Sequence, residues 1–136
     1  MARNARLSTV AAGLISIGAA VWLWLWAAAA SGKVEAWDGP YYFSWVVPAL
    51  WVVALGCGLL APRWPWRWPV AMYAAQFILM VARTEGRIGP LAPIGFITMG
   101  ILAVVTMLPA YLGSYVRHRC RISADVHQGQ SAGPGG

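Results

Sequence analysis

The residues best suited to chemistry are few, and most lie between apolar stretches of the chain. Asp38, Arg83, Glu85 and Arg87 fall in two short polar segments and predict a small polar cluster. Such a cluster could bind a polar ligand, or it could consist of exposed ion pairs that contribute little to stability. Gln76 is the only carboxamide within the long apolar stretches. It predicts a hydrogen bond between helices or, alternatively, a residue lining a polar path.

A second group of candidate residues is aromatic and basic. Residues 62–69 read Pro-Arg-Trp-Pro-Trp-Arg-Trp-Pro, and the prolines interrupt any regular helix there. Tryptophan rings and arginines collect at membrane–water interfaces, where they meet the lipid headgroups. The candidate contacts to anionic lipid headgroups or to a partner are therefore Arg63, Trp64, Trp66, Arg67 and Trp68.

The sequence contains no recognisable catalytic or cofactor-binding pattern. The apolar stretches hold no charged residue, so the intramembrane acidic group on which small multidrug transporters depend has no counterpart. His118 and His127 both lie near the C-terminus, away from the apolar stretches in which a haem would be ligated. Cys57 and Cys120 are on separate segments and form no C-x-x-C pair. We therefore predict no enzymatic activity, no metal site and no cofactor.

Composition indicates a membrane protein. The chain has 136 residues, of which 60% are hydrophobic and 10% charged, with a formal net charge of +6. Soluble domains carry roughly 25% charged residues, so this chain lacks the polar surface that a soluble fold requires. Because the basic residues flank apolar stretches, the partners expected are the lipid bilayer and its anionic headgroups rather than nucleic acid.

Four apolar stretches predict an all-α fold, an integral membrane bundle of four transmembrane helices at about 7–30, 41–61, 68–85 and 93–116. The first stretch is too long for the apolar part of a signal peptide, which favours a retained helix. The third is short, and Arg67 and Arg83 must help to complete the span by extending toward the headgroups. Residues 1–121 form the transmembrane domain, and 122–136 are predicted to be a disordered cytoplasmic tail.

Local patterns refine these helices. Ala12, Ser16 and Ala20 recur every four residues, either as a surface for close helix contact or as a chance result of an alanine-rich sequence. Ala54 and Gly58 form a second pair with the same spacing. Asp38 is a candidate helix cap, and Pro109 predicts a kink in the last helix. The basic residues near the N-terminus, the central loop and the C-terminus outnumber those of the other two connections, which predicts that both termini are cytoplasmic.

Several short motifs together resemble those of an uncharacterised family of small four-helix proteobacterial inner-membrane proteins. They are Ala36-Trp37-Asp38-Gly39-Pro40-Tyr41, Pro65-Trp66-Arg67-Trp68, Gln76, Pro93 with Gly95, and Leu108-Pro109, and they cover roughly residues 36–119. One departure is that Trp64 separates Arg63 from Pro65, where the family pattern has Arg directly before Pro. The resemblance implies a multi-pass inner-membrane protein and no particular activity.

Two functions are compatible with these features. The first is a non-enzymatic accessory or interaction subunit that binds another membrane protein, or a second copy of itself, through its helix faces and basic loop. The second is a small transporter or channel formed by oligomerisation, with Gln76 and Thr98 or Thr106 lining a path.

Overall fold

The part of the chain that the structure describes contains four α-helices. The computed structural model describes residues 2–32, 39–83 and 92–131, and this part of the chain contains no β-strand. In chain order the helices are α1 (Ala2–Ser31), α2 (Val47–Leu60), α3 (Arg67–Arg83) and α4 (Ala92–Ser131). A π-helical turn, Tyr42–Val46, leads directly into α2. The all-α fold predicted from the apolar stretches is confirmed.

The π-helical turn has a local cause in Pro48. Proline has no backbone N–H, so Pro48 cannot donate to the carbonyl of Ser44, as an α-helix would require at this position. In this turn the N–H of Val47 donates to the oxygen of Tyr42, five residues back. Tyr42 and Val46 are fully buried. The change from α-helical to π-helical hydrogen bonding therefore occurs in the turn that contains a buried tyrosine, Tyr42.

The four helices pack around a common core. α1 contacts α2 and α3, and α4 contacts the same two helices. This places α1 and α4 at opposite corners of the arrangement, with α2 and α3 between them. The core contains several small residues together with a few large side chains, the largest being Trp24, Tyr42, Leu50 and Met72.

Within residues 2–32, 39–83 and 92–131, three helical segments are long and apolar enough to cross a membrane: Asn4–Ser31, Tyr42–Leu60 and Pro93–Ser123. Large apolar side chains on these segments face outward, as Leu14 (69% exposed), Val52 (72%) and Leu108 (71%) illustrate. An outward apolar surface of this kind suits hydrocarbon and not water. α3 has 17 residues, and at 1.5 Å per residue it measures about 26 Å against a hydrocarbon core of about 30 Å.

The helix ends differ from the sequence-based boundaries at several points. α1 begins at Ala2, and α3 begins at Arg67, which puts Pro69 in its first turn, where a missing N–H has no intrahelical partner to lose. α4 continues to Ser131, so residues 122–131 are helical where disorder was predicted. Residues 110–131 contain no proline and only two glycines, so little in this sequence ends the helix. The predicted cap Asp38 lies outside the described residues.

Three segments meet at one end of the fold. Arg6 near the start of α1, Arg63 in the loop between α2 and α3, and Arg121 late in α4 line one open cavity. These are the three segments that the sequence assigns to a single side of the membrane. We call this end, with Arg6, Arg63, Arg117 and Arg121 around its cavity, the basic end.

Candidate functional site

Gln76 is a fully buried polar residue that joins three parts of the fold. Its Oε1 accepts a hydrogen bond of 2.6 Å from the hydroxyl of Tyr42, at the start of the π-helical turn. Its Nε2 donates to the backbone oxygen of Ala20 in α1, at 3.3 Å. The carboxamide on α3 therefore connects α1 with the π-helical turn that precedes α2, and both of its polar atoms have partners.

A second polar contact lies one helical turn away on the same face of α3. The hydroxyls of Tyr73 and Thr106 are 3.1 Å apart and link α3 to α4. Thr106 is fully buried and Tyr73 nearly so. Because residues three apart on a helix are neighbours, Tyr73 and Gln76 form one polar strip within an otherwise apolar interior.

The small residues of α1 face this interior. Ala12, Ser16 and Ala20 are each 0% exposed. The thiol of Cys57 lies 3.5 Å from the backbone oxygen of Ala12, which brings α2 close to α1. The small residues that recur every four positions in α1 thus form a surface of close helix contact.

α2 and α4 approach each other even more closely, through glycine. A Cβ atom added to Gly58 would lie 3.0 Å from the carbonyl carbon of Ala110 and closer still to its oxygen. A Cβ atom added to Gly113 would lie 3.1 Å from the carbonyl carbon of Leu55. Both positions therefore require glycine, since any larger residue would separate the two backbones.

Near the other end of α1, Trp24 is fully buried, and its indole Nε1 has no hydrogen-bond partner among the described residues. The guanidinium of Arg83 lies over its ring, 5.4 Å from the centroid, in a cation–π arrangement. Arg83 is the one member of the polar cluster predicted from the sequence that falls within the described residues. Asp38, Glu85 and Arg87 lie outside them.

The residues of the aromatic and basic loop do not all behave alike. Arg63, Trp64, Trp66 and Arg67 are exposed. Trp68 is only 5% exposed, and its Nε1 donates to the backbone oxygen of Ala61 at 3.3 Å. Trp68 therefore closes the loop against the core, and its place among the headgroup contacts is corrected. The buried position follows from the start of α3 at Arg67, because the helix turns the next side chain inward.

Chemically, these groups suit hydrogen bonding and packing. Cys57 is buried and Cys120 exposed, and both are free thiols. Among residues 2–32, 39–83 and 92–131, no group of three or more His, Cys, Asp or Glu side chains comes together as a metal site would require. Comparison with protein-family models, curated proteins and solved structures found no match to this chain.

Sequence reasoning identified Gln76 but neither of its partners. Tyr42 lies in the aromatic run Tyr41-Tyr42-Phe43, which gives no sign that one of these residues is buried, and the backbone oxygen of Ala20 carries no sequence signal. Tyr73 was not singled out, although its position three residues before Gln76 on a helix could have suggested a shared polar face. Gly113 was also missed because it lacks a small residue four positions away.

Proposed function

We propose that this chain is a non-enzymatic integral protein of the bacterial inner membrane that acts as an accessory subunit for another membrane protein. It crosses the bilayer four times, with both termini and the basic end in the cytoplasm. Three apolar helical segments of sufficient length support the membrane location. The excess of basic residues at one end supports the orientation.

One observation supports an accessory protein over a channel: the candidate polar residues are hydrogen-bonded within the fold. The polar atoms of Gln76 are bonded to Tyr42 and Ala20, and the hydroxyl of Thr106 is bonded to Tyr73. Thr98, the remaining candidate for a polar path, donates its hydroxyl proton to Ile94 in its own helix. Groups that satisfy one another in this way favour a role in holding helices together.

The accessory role rests on the outer helix faces. Two of these faces carry large apolar side chains that are more than three-fifths exposed. One lies on α2 and the π-helical turn before it, with Val52 and Trp45, and the other lies on α4, with Val104 and Leu108. Such faces contact lipid or the helices of a partner. A partner would be recognised by packing of side chains, because little hydrophobic gain is available between helices within a bilayer.

The test combines a pull-down with a flux measurement on the full chain. A tagged protein, extracted in mild detergent, is expected to retain a second membrane protein in stoichiometric amount. Val52→Trp and Val104→Trp, on two different exposed helices, serve as matched variants: loss of the partner with only one of them identifies the contact face. Recovery of the homo-oligomer alone contradicts an accessory role.

Gln76→Leu separates this proposal from a channel. If Gln76 holds helices together, the variant loses resistance to detergent, and liposomes containing the wild-type protein show no more ion flux than empty liposomes. Wild-type flux that disappears in a stably folded Gln76→Leu protein would support a channel instead.

A further inference from the structure

The basic end encloses an open cavity of about 910 Å³. Its wall is built from three parts of the chain that are distant in sequence: the first turns of α1, the end of α2 with the following loop, and the late part of α4. Each part contributes arginine, namely Arg6, Arg63, and Arg117 with Arg121. Among the described residues that line the cavity there is no aspartate or glutamate.

The four arginines have different tasks. Arg117 is partly buried and donates hydrogen bonds from Nη1 to the backbone oxygens of Leu59 and Leu60, which lack helical partners at the end of α2. It is therefore part of the wall and fixes α4 against α2. Arg6, Arg63 and Arg121 are exposed, and their guanidinium groups remain available for a ligand.

Bringing like charges together around one cavity opposes folding unless an anion offsets their repulsion. A guanidinium group matches a phosphate particularly well, because its planar N–H groups donate two parallel hydrogen bonds to two phosphate oxygens. Three such groups, each from a different segment of the chain, line this one cavity. The positive charge of the cavity and its arginine lining thus favour a phosphate-bearing anion.

The location of the cavity indicates where this phosphate comes from. Arg6 immediately precedes the first apolar stretch, Arg63 follows the second and Arg117 follows the last, so the cavity lies at the depth of the lipid headgroups. Its wall also includes the apolar side chains of Val10 and Leu60. A free phosphate would fill only a small part of this volume and would gain nothing from that apolar wall.

We propose that the cavity at the basic end is a binding site for an anionic phospholipid, whose phosphodiester is held by Arg6, Arg63 and Arg121 while its glycerol and first acyl carbons contact Val10 and Leu60. This inference rests on the proposed placement of the basic end at the membrane surface. It concerns lipid binding alone, so it can fail while the accessory role and the topology stand.

The chain offers a matched pair of variants for the test. Arg63→Gln with Arg121→Gln removes two arginines from the cavity. Arg67→Gln with Arg119→Gln removes two from the same loop and the same helix, and neither of these lines the cavity. The proposed site therefore leaves out Arg67, which the sequence alone had made a candidate headgroup contact, and keeps Arg63. Arg119 is instead directed at the ring and hydroxyl of Tyr115. Both double variants change the net charge equally, so they respond equally to non-specific attraction.

Binding is measured by native mass spectrometry of the full chain in detergent, titrated with phosphatidylglycerol, phosphatidylcholine or inorganic phosphate. The wild-type protein and the Arg67/Arg119 variant are expected to bind one phosphatidylglycerol preferentially. The Arg63/Arg121 variant should bind it about tenfold or more weakly, since each arginine near a headgroup contributes appreciably. Folding of each variant is checked by helical circular dichroism and resistance to detergent.

Several results would overturn the proposal. Equal weakening in both double variants would indicate general surface charge. If the wild-type protein binds phosphatidylcholine as tightly as phosphatidylglycerol, the net charge of the headgroup is not what the site recognises. Displacement of the lipid by inorganic phosphate at comparable concentration would assign the site to a free anion. If the cavity variant fails to fold, the single variants Arg63→Gln and Arg67→Gln provide the same comparison, and equal affinities would again contradict a specific site.

Discussion

Helices α2 and α4 meet through backbone atoms, whereas α3 meets its neighbours through polar side chains. At the first interface, Gly58 and Gly113 allow each backbone to touch the other helix. At the second, the carboxamide of Gln76 extends to two other segments of the fold. The contrast indicates two ways of specifying helix pairs in a medium where apolar burial discriminates poorly. The α2–α4 interface leaves no space for an added side-chain atom. Loss of a hydrogen bond of Gln76 should destabilise the fold less, because other contacts of α3 remain.

The largest effect is expected where the backbones touch. Gly58→Ala places a methyl group against the backbone of Ala110, which cannot withdraw as a flexible side chain would. Overpacking of this kind costs about 2–3 kcal/mol. Gly56→Ala is the matched control in the same helix, because no atom of the described residues lies within 4 Å of a Cβ added there.

The control should be unchanged or more stable by about 0.5–1 kcal/mol, since alanine favours helix more than glycine does. Stability is measured by unfolding in mixed micelles, followed by tryptophan fluorescence. Equal shifts for Gly56→Ala and Gly58→Ala would show that α2 and α4 are not in backbone contact.

A smaller effect is expected at Gln76, where the interaction can be isolated by a double-mutant cycle. Tyr42→Phe and Gln76→Leu each remove one side of the 2.6 Å hydrogen bond. We expect a coupling free energy of about 0.6–1.7 kcal/mol, the range for polar contacts between membrane helices. Tyr41→Phe is the control, because Tyr41 is adjacent in sequence but 40% exposed.

In this cycle Tyr41→Phe should leave stability unchanged in either background at residue 76. Strict additivity of Tyr42→Phe and Gln76→Leu would mean that the two side chains do not interact. The cycle thus measures how much a hydrogen bond adds, relative to the steric contact between α2 and α4.

The two kinds of interface also differ in how well sequence predicts them. The contact role of Gly58 can be predicted from its four-residue spacing to Ala54. Gly113 has no small residue at that spacing, and only the structure shows that it contacts Leu55. Gln76 stood out because a carboxamide is rare in apolar sequence. Its bond to Tyr42 depends on the π-helical turn ahead of Pro48, and the direction of a side chain in an altered helical register is a tertiary result.

At the level of elements, α1, α2 and α4 follow from the sequence because charge-free stretches of sufficient length leave few alternatives. The prediction of α3 needs a further argument, because its stretch is short and depends on the flanking arginines to reach the headgroups. The sequence does not predict the extension of α4, because low hydrophobicity after Arg121 favours disorder, although residues 122–131 contain no helix-breaking proline. The cavity at the basic end was also beyond sequence reasoning. Arg6, Arg63 and Arg121 are far apart in the chain, and only the packing of α1, α2 and α4 brings them together.

The smallest effect is expected at the hydroxyl pair of Tyr73 and Thr106. Tyr73→Phe removes a 3.1 Å hydrogen bond, but the threonine hydroxyl can turn to a carbonyl of its own helix, as Thr98 does toward Ile94. The free energy of unfolding of the single variant should therefore fall by only about 0.5 kcal/mol. In the double variant, with Tyr73→Phe and Thr106→Val, it should fall by no more than that, because no buried polar group is left without a partner.

Tyr111→Phe, on the exposed face of α4, is the control and should leave stability unchanged. All variants are compared by the same unfolding measurement in mixed micelles. A combined variant much less stable than Tyr73→Phe alone would show that this hydroxyl pair specifies the α3–α4 contact as strongly as glycine specifies the α2–α4 contact. The distinction between steric and polar interfaces would then not hold for α4.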